Sequence, residues 1–297
     1  MSTTSGQVGR AGRNEEALEK QEHALALRKK SLGPEHLQVA ASLNNLATPL
    51  MELGQFAEAQ EMFARALAIR RKLLGPEHLE VAQSLENSGE VLLVLGQPEE
   101  ALDLFTQAAA IREKQHEPDH PAVGTVLNQR GAARLELGQV PRARQDFERA
   151  LAIQQKRLGP ENPSVAYTLH NQGSALTALG RFEEARQAHE RASSLLEKAR
   201  GPSFPDLALP LRGLGALYLA QRKPAAALAP LEKALLLVSV KHRPRVQLTL
   251  AQALWESGQD RPRARALTTE ALAEWQRIGN TRQGTRASEW LDAHRLQ

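Results

Sequence analysis

Residues 32–40 read LGPEHLQVA, and residues 74–82 read LGPEHLEVA. The copies lie forty-two residues apart, and the same interval governs most of the chain. Proline returns at Pro34, Pro76, Pro118, Pro160 and Pro202. Alanine returns at Ala17, Ala59, Ala101, Ala143, Ala185 and Ala227, and again at Ala24, Ala66, Ala108, Ala150, Ala192 and Ala234. A small-residue column holds Ala47, Gly89, Gly131, Gly173 and Gly215. So many columns in one register mark one supersecondary unit copied in tandem.

Each repeat contains two helical patterns. Leu43, Leu46, Ala47 and Leu50 fall at i, i+3, i+4 and i+7, and Ala59, Phe63, Ala66 and Arg70 repeat that spacing. Gly54 stands where the first helix must end, because glycine accepts the left-handed cap; Gly33, Gly75 and Gly159 end second helices. Asn162-Pro163 supplies an N-cap followed by proline at the first helical position, and His120-Pro121 and Phe204-Pro205 hold the same place. LGPEH is therefore punctuation between helices. A single helix pair cannot bury its apolar face, so neighbouring pairs must stack and share a core.

The whole chain fits that plan. Its 297 residues are 41% hydrophobic but only 4% aromatic, and its apolar content is mostly alanine and leucine. That composition favours helix and leaves little material for a sheet. There is no cysteine, which excludes disulfides and thiolate metal sites and fits a reducing compartment. The N-terminus lacks the apolar core of a secretory signal, and runs such as ALLLV at 234–238 are too short to span a bilayer. A cytoplasmic location without membrane attachment is expected. The formal charge is +4 and resides in residues 241–297, which hold ten Lys or Arg and six Asp or Glu.

The columns resemble the tetratricopeptide repeat, which places Leu and a small residue in the first helix, and Ala, a bulky aromatic and Ala in the second. Here those positions are Leu43, Ala47, Ala59, Phe63 and Ala66, and later Leu127, Gly131, Ala143, Phe147 and Ala150. The 42-residue period with LGPEH and SLNNLA is similar to the kinesin light chain subclass. The resemblance implies an all-α, right-handed superhelical solenoid of antiparallel helix pairs, about thirteen or fourteen helices in all, whose first helices line a concave groove. It covers roughly residues 14–277. The expected organisation is a disordered segment 1–13, a half repeat 14–31, five full repeats over 32–241, a shorter repeat 242–277 and a capping helix within 278–297, where Trp290 and Leu291 cover the last apolar face. The chain opens mid-repeat, as after loss of an upstream part or with a dedicated cap. Departures are His189 and Leu231 in the second-helix aromatic column, which weaken any transfer of kinesin cargo recognition. Residues 250–267 and 289–294 are also similar to repeat arrays that follow the catalytic domain in some bacterial serine/threonine protein kinases, although no kinase motif is present.

No catalytic constellation is visible: there is no nucleophile elbow, phosphate loop or HExxH. His36, His78 and His120 form one column, but packed helices lie about 8–10 Å apart, too far for one metal to collect all three. A helix-start role is expected instead. No cofactor, metal or small-molecule substrate is implied.

What remains is the groove. Its candidate peptide-binding residues are Asn44, Asn45, Glu86, Asn87, Asn128, Gln129, Tyr167, His170, Asn171 and Arg212. Asn45, Asn87 and Asn171 hold one column, with Gln129 between them; carboxamides offer both donor and acceptor, so this column suits a peptide backbone and equally suits bonds between neighbouring helices. Glu52, Glu86, Glu90 and Glu136 predict an acidic early wall that would take a basic segment, while His170 and Arg212 make the later wall neutral or basic. Pro49 lies inside a first helix and frees the carbonyl of Asn45. The expected function is a protein-interaction scaffold or adaptor that binds a polypeptide. The alternatives are a regulatory or substrate-docking array of a serine/threonine kinase pathway and, below both, nucleic-acid binding through the basic C-terminal region, whose mild charge reads first as solvated surface.

Overall fold

The computed structural model describes the backbone of residues 3–294 and the side chains of residues 18–294. Every regular element among these residues is helical. The chain forms two compact bodies, Met1–Glu117 and Pro118–Gln297.

In the N-terminal body, α1 (Thr3–Leu32) is followed by the pairs α2 (Leu37–Glu52) with α3 (Phe56–Leu74) and α4 (Leu79–Val94) with α5 (Pro98–Gln115). In the C-terminal body the pairs are α6 (Pro121–Glu136) with α7 (Val140–Leu158), α8 (Pro163–Ala178) with α9 (Phe182–Arg200), α10 (Ala208–Ala220) with α11 (Pro224–Leu237), and α12 (Arg243–Ser257) with α13 (Arg261–Arg277); α14 (Thr281–Ala293) ends it. Short 3-10 turns at Pro205–Leu207 and Val240–His242 lead into α10 and α12. The fold is the all-α repeat solenoid that the period implies.

The segment 1–13, expected to be disordered, is helical from Thr3, while Met1 and Ser2 lie outside the described residues. Once residues 14–32 have nucleated a helix, each further residue adds a backbone hydrogen bond at small entropic cost. Pro49 leaves α2 intact as far as Glu52, and Leu53 N–H donates to the Pro49 carbonyl at 3.0 Å.

The helix ends follow from the repeated punctuation. Gly54 adopts φ 78°, and Gln55 N–H reaches back to the Leu50 carbonyl at 2.9 Å, closing the first helix as glycine alone does without strain. At the opposite end, Nδ1 of His36, His78 and His120 accepts the N–H of Gln38, Glu80 and Ala122 at 3.2, 3.1 and 3.2 Å. Asn162 does the same for Ser164 at 2.9 Å. The histidine column is a set of N-caps. An exposed ion pair also recurs at each corner: Lys72–Glu35, Lys114–Glu77, Lys156–Asp119 and Lys198–Glu161.

The core forms where the two columns meet. Phe105 and Phe147 are completely buried, and their rings fill the space left by Gly89 and Gly131. His189 lies in the same way against Gly173, and Leu231 against Gly215. Ala59, Ala66, Ala143 and Ala150 have no exposed surface, so their small side chains let the helices approach.

Within the C-terminal body α6 touches α8, α8 touches α10 and α10 touches α12, whereas no two second helices are in comparable contact. The first helices of this body therefore lie on the inner side of its bend. The free faces of the first helices, taken in each body by itself, are the candidate site.

Candidate functional site: the faces of the first helices

In the N-terminal body the candidate residues form one polar chain. Asn87 Nδ2 donates to Asn44 Oδ1 at 2.6 Å, linking α4 to α2. Gln83 Nε2 donates to Asn87 Oδ1 at 3.1 Å. Gln83 Oε1 in turn accepts from Arg112 Nη2 at 3.3 Å, and Arg112 Nε donates to Glu86 Oε1 at 2.6 Å. Asn45 is exposed at the edge of this chain.

Glu86 differs from its expected place. It is 4% exposed and is paired with Arg112 from α5. Desolvation raises its carboxyl above the usual range, and the hydrogen bond from Arg112 only partly opposes that. Glu86 therefore belongs to the packing of the helix pair rather than to an open acidic wall. Arg112 gave no sign of this in the sequence: it ends a second helix, and nothing in the periodic pattern marks it as reaching back to the first.

In the C-terminal body the amide pair recurs. Asn171 Nδ2 donates to Asn128 Oδ1 at 3.0 Å, linking α8 to α6. Gln129 sits beside this pair with Oε1 buried and without a hydrogen-bond partner. Tyr167 is tied into the array, since its hydroxyl donates to Asp206 Oδ2 at 2.7 Å. Burial and then the Asp206 carboxylate push its phenol upward.

His170 and His189 are both buried, with their Nδ1 atoms 3.4 Å apart and their ring centroids 5.3 Å apart. One ring donates to the other, which requires both to be neutral or one to be charged. Desolvation lowers both, to about 3 for His189, and the positive charge of Arg212 adds to the effect. His189 takes the place that phenylalanine fills elsewhere in its column.

Arg212 is half-buried on α10 and makes no hydrogen bond to another described residue. Desolvation, then the like charge of Arg245, lowers it to about 10, against the pull of Glu136. Glu136, at the end of α6, is paired with Arg245 on α12, 109 residues further on. Two of the four carboxylates expected to make an acidic wall, Glu86 and Glu136, are thus already matched by arginines. Arg245 escaped the pattern because α11 has 14 residues where α7 and α9 have 19, which moves the last repeat out of register. The basic excess of residues 241–297 was its only signal.

Comparison with known proteins agrees with this architecture. The tetratricopeptide repeat model matches residues 9–48, 50–114, 80–156, 123–198 and 164–235. Among solved structures, a variant of a Podosopora anserina kinesin light chain with nearly identical TPR-like repeats is 31% identical, with 67% of this chain and 92% of that chain covered and a TM-score of 0.54. BtubC (BKLC) from P. vanneervenii is 19% identical over 77% of this chain and 89% of its own, with a TM-score of 0.54. A Rap protein complexed with competence and sporulation factor shares the fold at 16% identity, covering 93% of this chain and 86% of its own, with a TM-score of 0.57. Among curated proteins no sequence matches. The repeat model, the helix pairs and the buried columns together place the chain in the tetratricopeptide repeat family.

Proposed function

We propose that the chain is a protein-interaction scaffold whose first-helix faces bind a polypeptide segment. The carrying observation is the repeated amide pair, Asn87 with Asn44 and Asn171 with Asn128, at equivalent positions of both bodies. Each pair orients its side chains yet leaves bonding capacity: Asn44 and Asn128 keep their N–H groups, and Asn171 keeps its carbonyl oxygen. A peptide backbone needs such donors and acceptors in alternation. The two uses of the amides are thus compatible, the bond between helices fixing the side chain that meets the ligand.

No catalysis is part of this proposal. Among the described residues no three His, Asp or Glu side chains form a group able to hold a metal ion, and no helix is long and apolar enough to cross a membrane. Selection from a displayed random-peptide library would test the proposal. Replacing Asn45, Asn87 and Asn171 together by alanine should weaken selected peptides by about tenfold or more, as expected when hydrogen-bonding partners worth about 1.4 kcal/mol are lost. Selected peptides that bind the triple variant as well as the parent would refute it.

A further inference from the structure

The inner wall of the C-terminal body carries more positive than negative charge. Glu136 from α6 brings a carboxylate to it, and Arg245 from α12 takes that carboxylate. Arg212 from α10 and Arg286 from α14 also act on Glu136 through their charges. Desolvation works against the ionised form of Glu136, yet these three arginines overcome it and hold the carboxyl below its usual range. A single carboxylate cannot neutralise three guanidinium groups. His170, His189 and His242 lie close enough to Arg212 to be affected by its charge; burial first, and then like charges that include Arg212, disfavour the charged form of all three.

The deficit falls on Arg212. It is half-buried, it repels Arg245, and it has no hydrogen bond among the described residues. A partly desolvated charge without a partner is costly, and an incoming anion relieves that cost. The guanidinium fork matches a carboxylate in two parallel bonds. The same wall already holds a carboxylate, because Glu136 occupies Arg245. The amide pair Asn171–Asn128 lies on neighbouring first helices and offers neutral contacts for a main chain.

We infer that the inner wall of the C-terminal body receives an acidic polypeptide segment, whose carboxylate pairs with Arg212 and competes with Glu136 for Arg245. Glu136 is then an internal stand-in for the ligand and sets the threshold for binding. This inference rests on the proposal that first-helix faces bind polypeptide. It assigns the C-terminal body a partner of opposite sign to the basic one expected for the early repeats.

The probe is a fluorescein-labelled octaglutamate peptide, followed by anisotropy at low and physiological salt with the full chain. Arg212→Gln should weaken binding by about tenfold, and Arg212→Lys should lie between it and the parent, since the charge stays while the fork is lost. Glu136→Gln should strengthen binding by roughly three- to tenfold by releasing Arg245. Glu256→Gln removes the same charge at an exposed position of α12 and should change affinity by less than about twofold. Circular dichroism establishes that each variant is folded. Equal effects of Glu136→Gln and Glu256→Gln would show that net charge alone attracts the probe and would overturn the inference, as would unchanged binding to Arg212→Gln. If octalysine or an uncharged peptide binds and loses affinity on Asn171→Ala while octaglutamate does not bind, this inference falls and the peptide-binding proposal stands. If no peptide binds, both fall.

Discussion

Gly89 lies so close to Phe105 that a β-carbon at position 89 would stand 2.6 Å from Cε1 of the ring. The contact joins α4 to α5 inside one helix pair, and it recurs where Gly131 faces Phe147, with 2.5 Å to the corresponding atom. The repeat thus pairs a small residue with a large one at a fixed spacing. Interiors packed this densely respond to a change of one methyl group.

Gly89→Ala should therefore destabilise the chain by about 1–3 kcal/mol through overpacking. Phe105→Ala should cost about 3–5 kcal/mol through the cavity it leaves. The two changes touch each other, so the double variant should be less destabilised than their sum. Urea unfolding of the four proteins measures this coupling, and strict additivity would mean that the two residues do not meet.

The histidine caps give a second expectation. His78→Ala should cost about 0.5–2 kcal/mol, whereas His78→Asn should be nearly neutral, because Asn162 already performs the same task in a later repeat. Hydrogen exchange at the Glu80 amide provides the local readout. Protection lost in the alanine variant and kept in the asparagine variant is the expected pattern.

The buried imidazole pair makes the C-terminal body sensitive to acid. Both His170 and His189 are depressed in the folded chain relative to an ordinary histidine near 6.5, and His189 lies at about 3. A depressed group contributes stability above its unfolded value and loses it as pH falls toward its folded one. Stability should therefore decline from about pH 6.5 toward pH 3, by up to ~1.4 kcal/mol per pH unit for each proton taken up. His189→Phe restores the residue found at Phe63, Phe105 and Phe147 and should flatten this slope. Melting temperatures of parent and variant across that range supply the test, and parallel curves would exclude the pair as the cause.

At the C-terminus, Trp290 meets Trp255 edge-on at 5.6 Å between centroids and stacks on His294 at 4.3 Å. Its ring packs against the apolar cluster that Leu250, Ala251, Leu254, Trp255, Ala264 and Leu267 of α12 and α13 contribute to. Trp290→Ala should cost about 3–5 kcal/mol if α14 stays docked, and less if α14 instead detaches. Tryptophan fluorescence separates the two outcomes, since detachment exposes Trp255 to water and shifts its emission to the red.

The recurrence of LGPEH, the alanine columns and the small-residue column were enough to determine the helix pairs, their corners and their stacking. Each of these features depends on chain-local rules: a helix needs a cap, an end and one apolar stripe, and every repeat states them again. The roles of polar side chains were decided only by the tertiary structure. Glu86 reads as groove in its own helix, yet Arg112 from the next helix claims it. Glu136 reads as an acidic wall, yet Arg245, 109 residues away, takes it. Periodicity gives the face a residue occupies. Which charge it meets depends on how the helices of its own body pack and on where a shortened α11 shifts the register, and both are set by packing between elements remote in sequence.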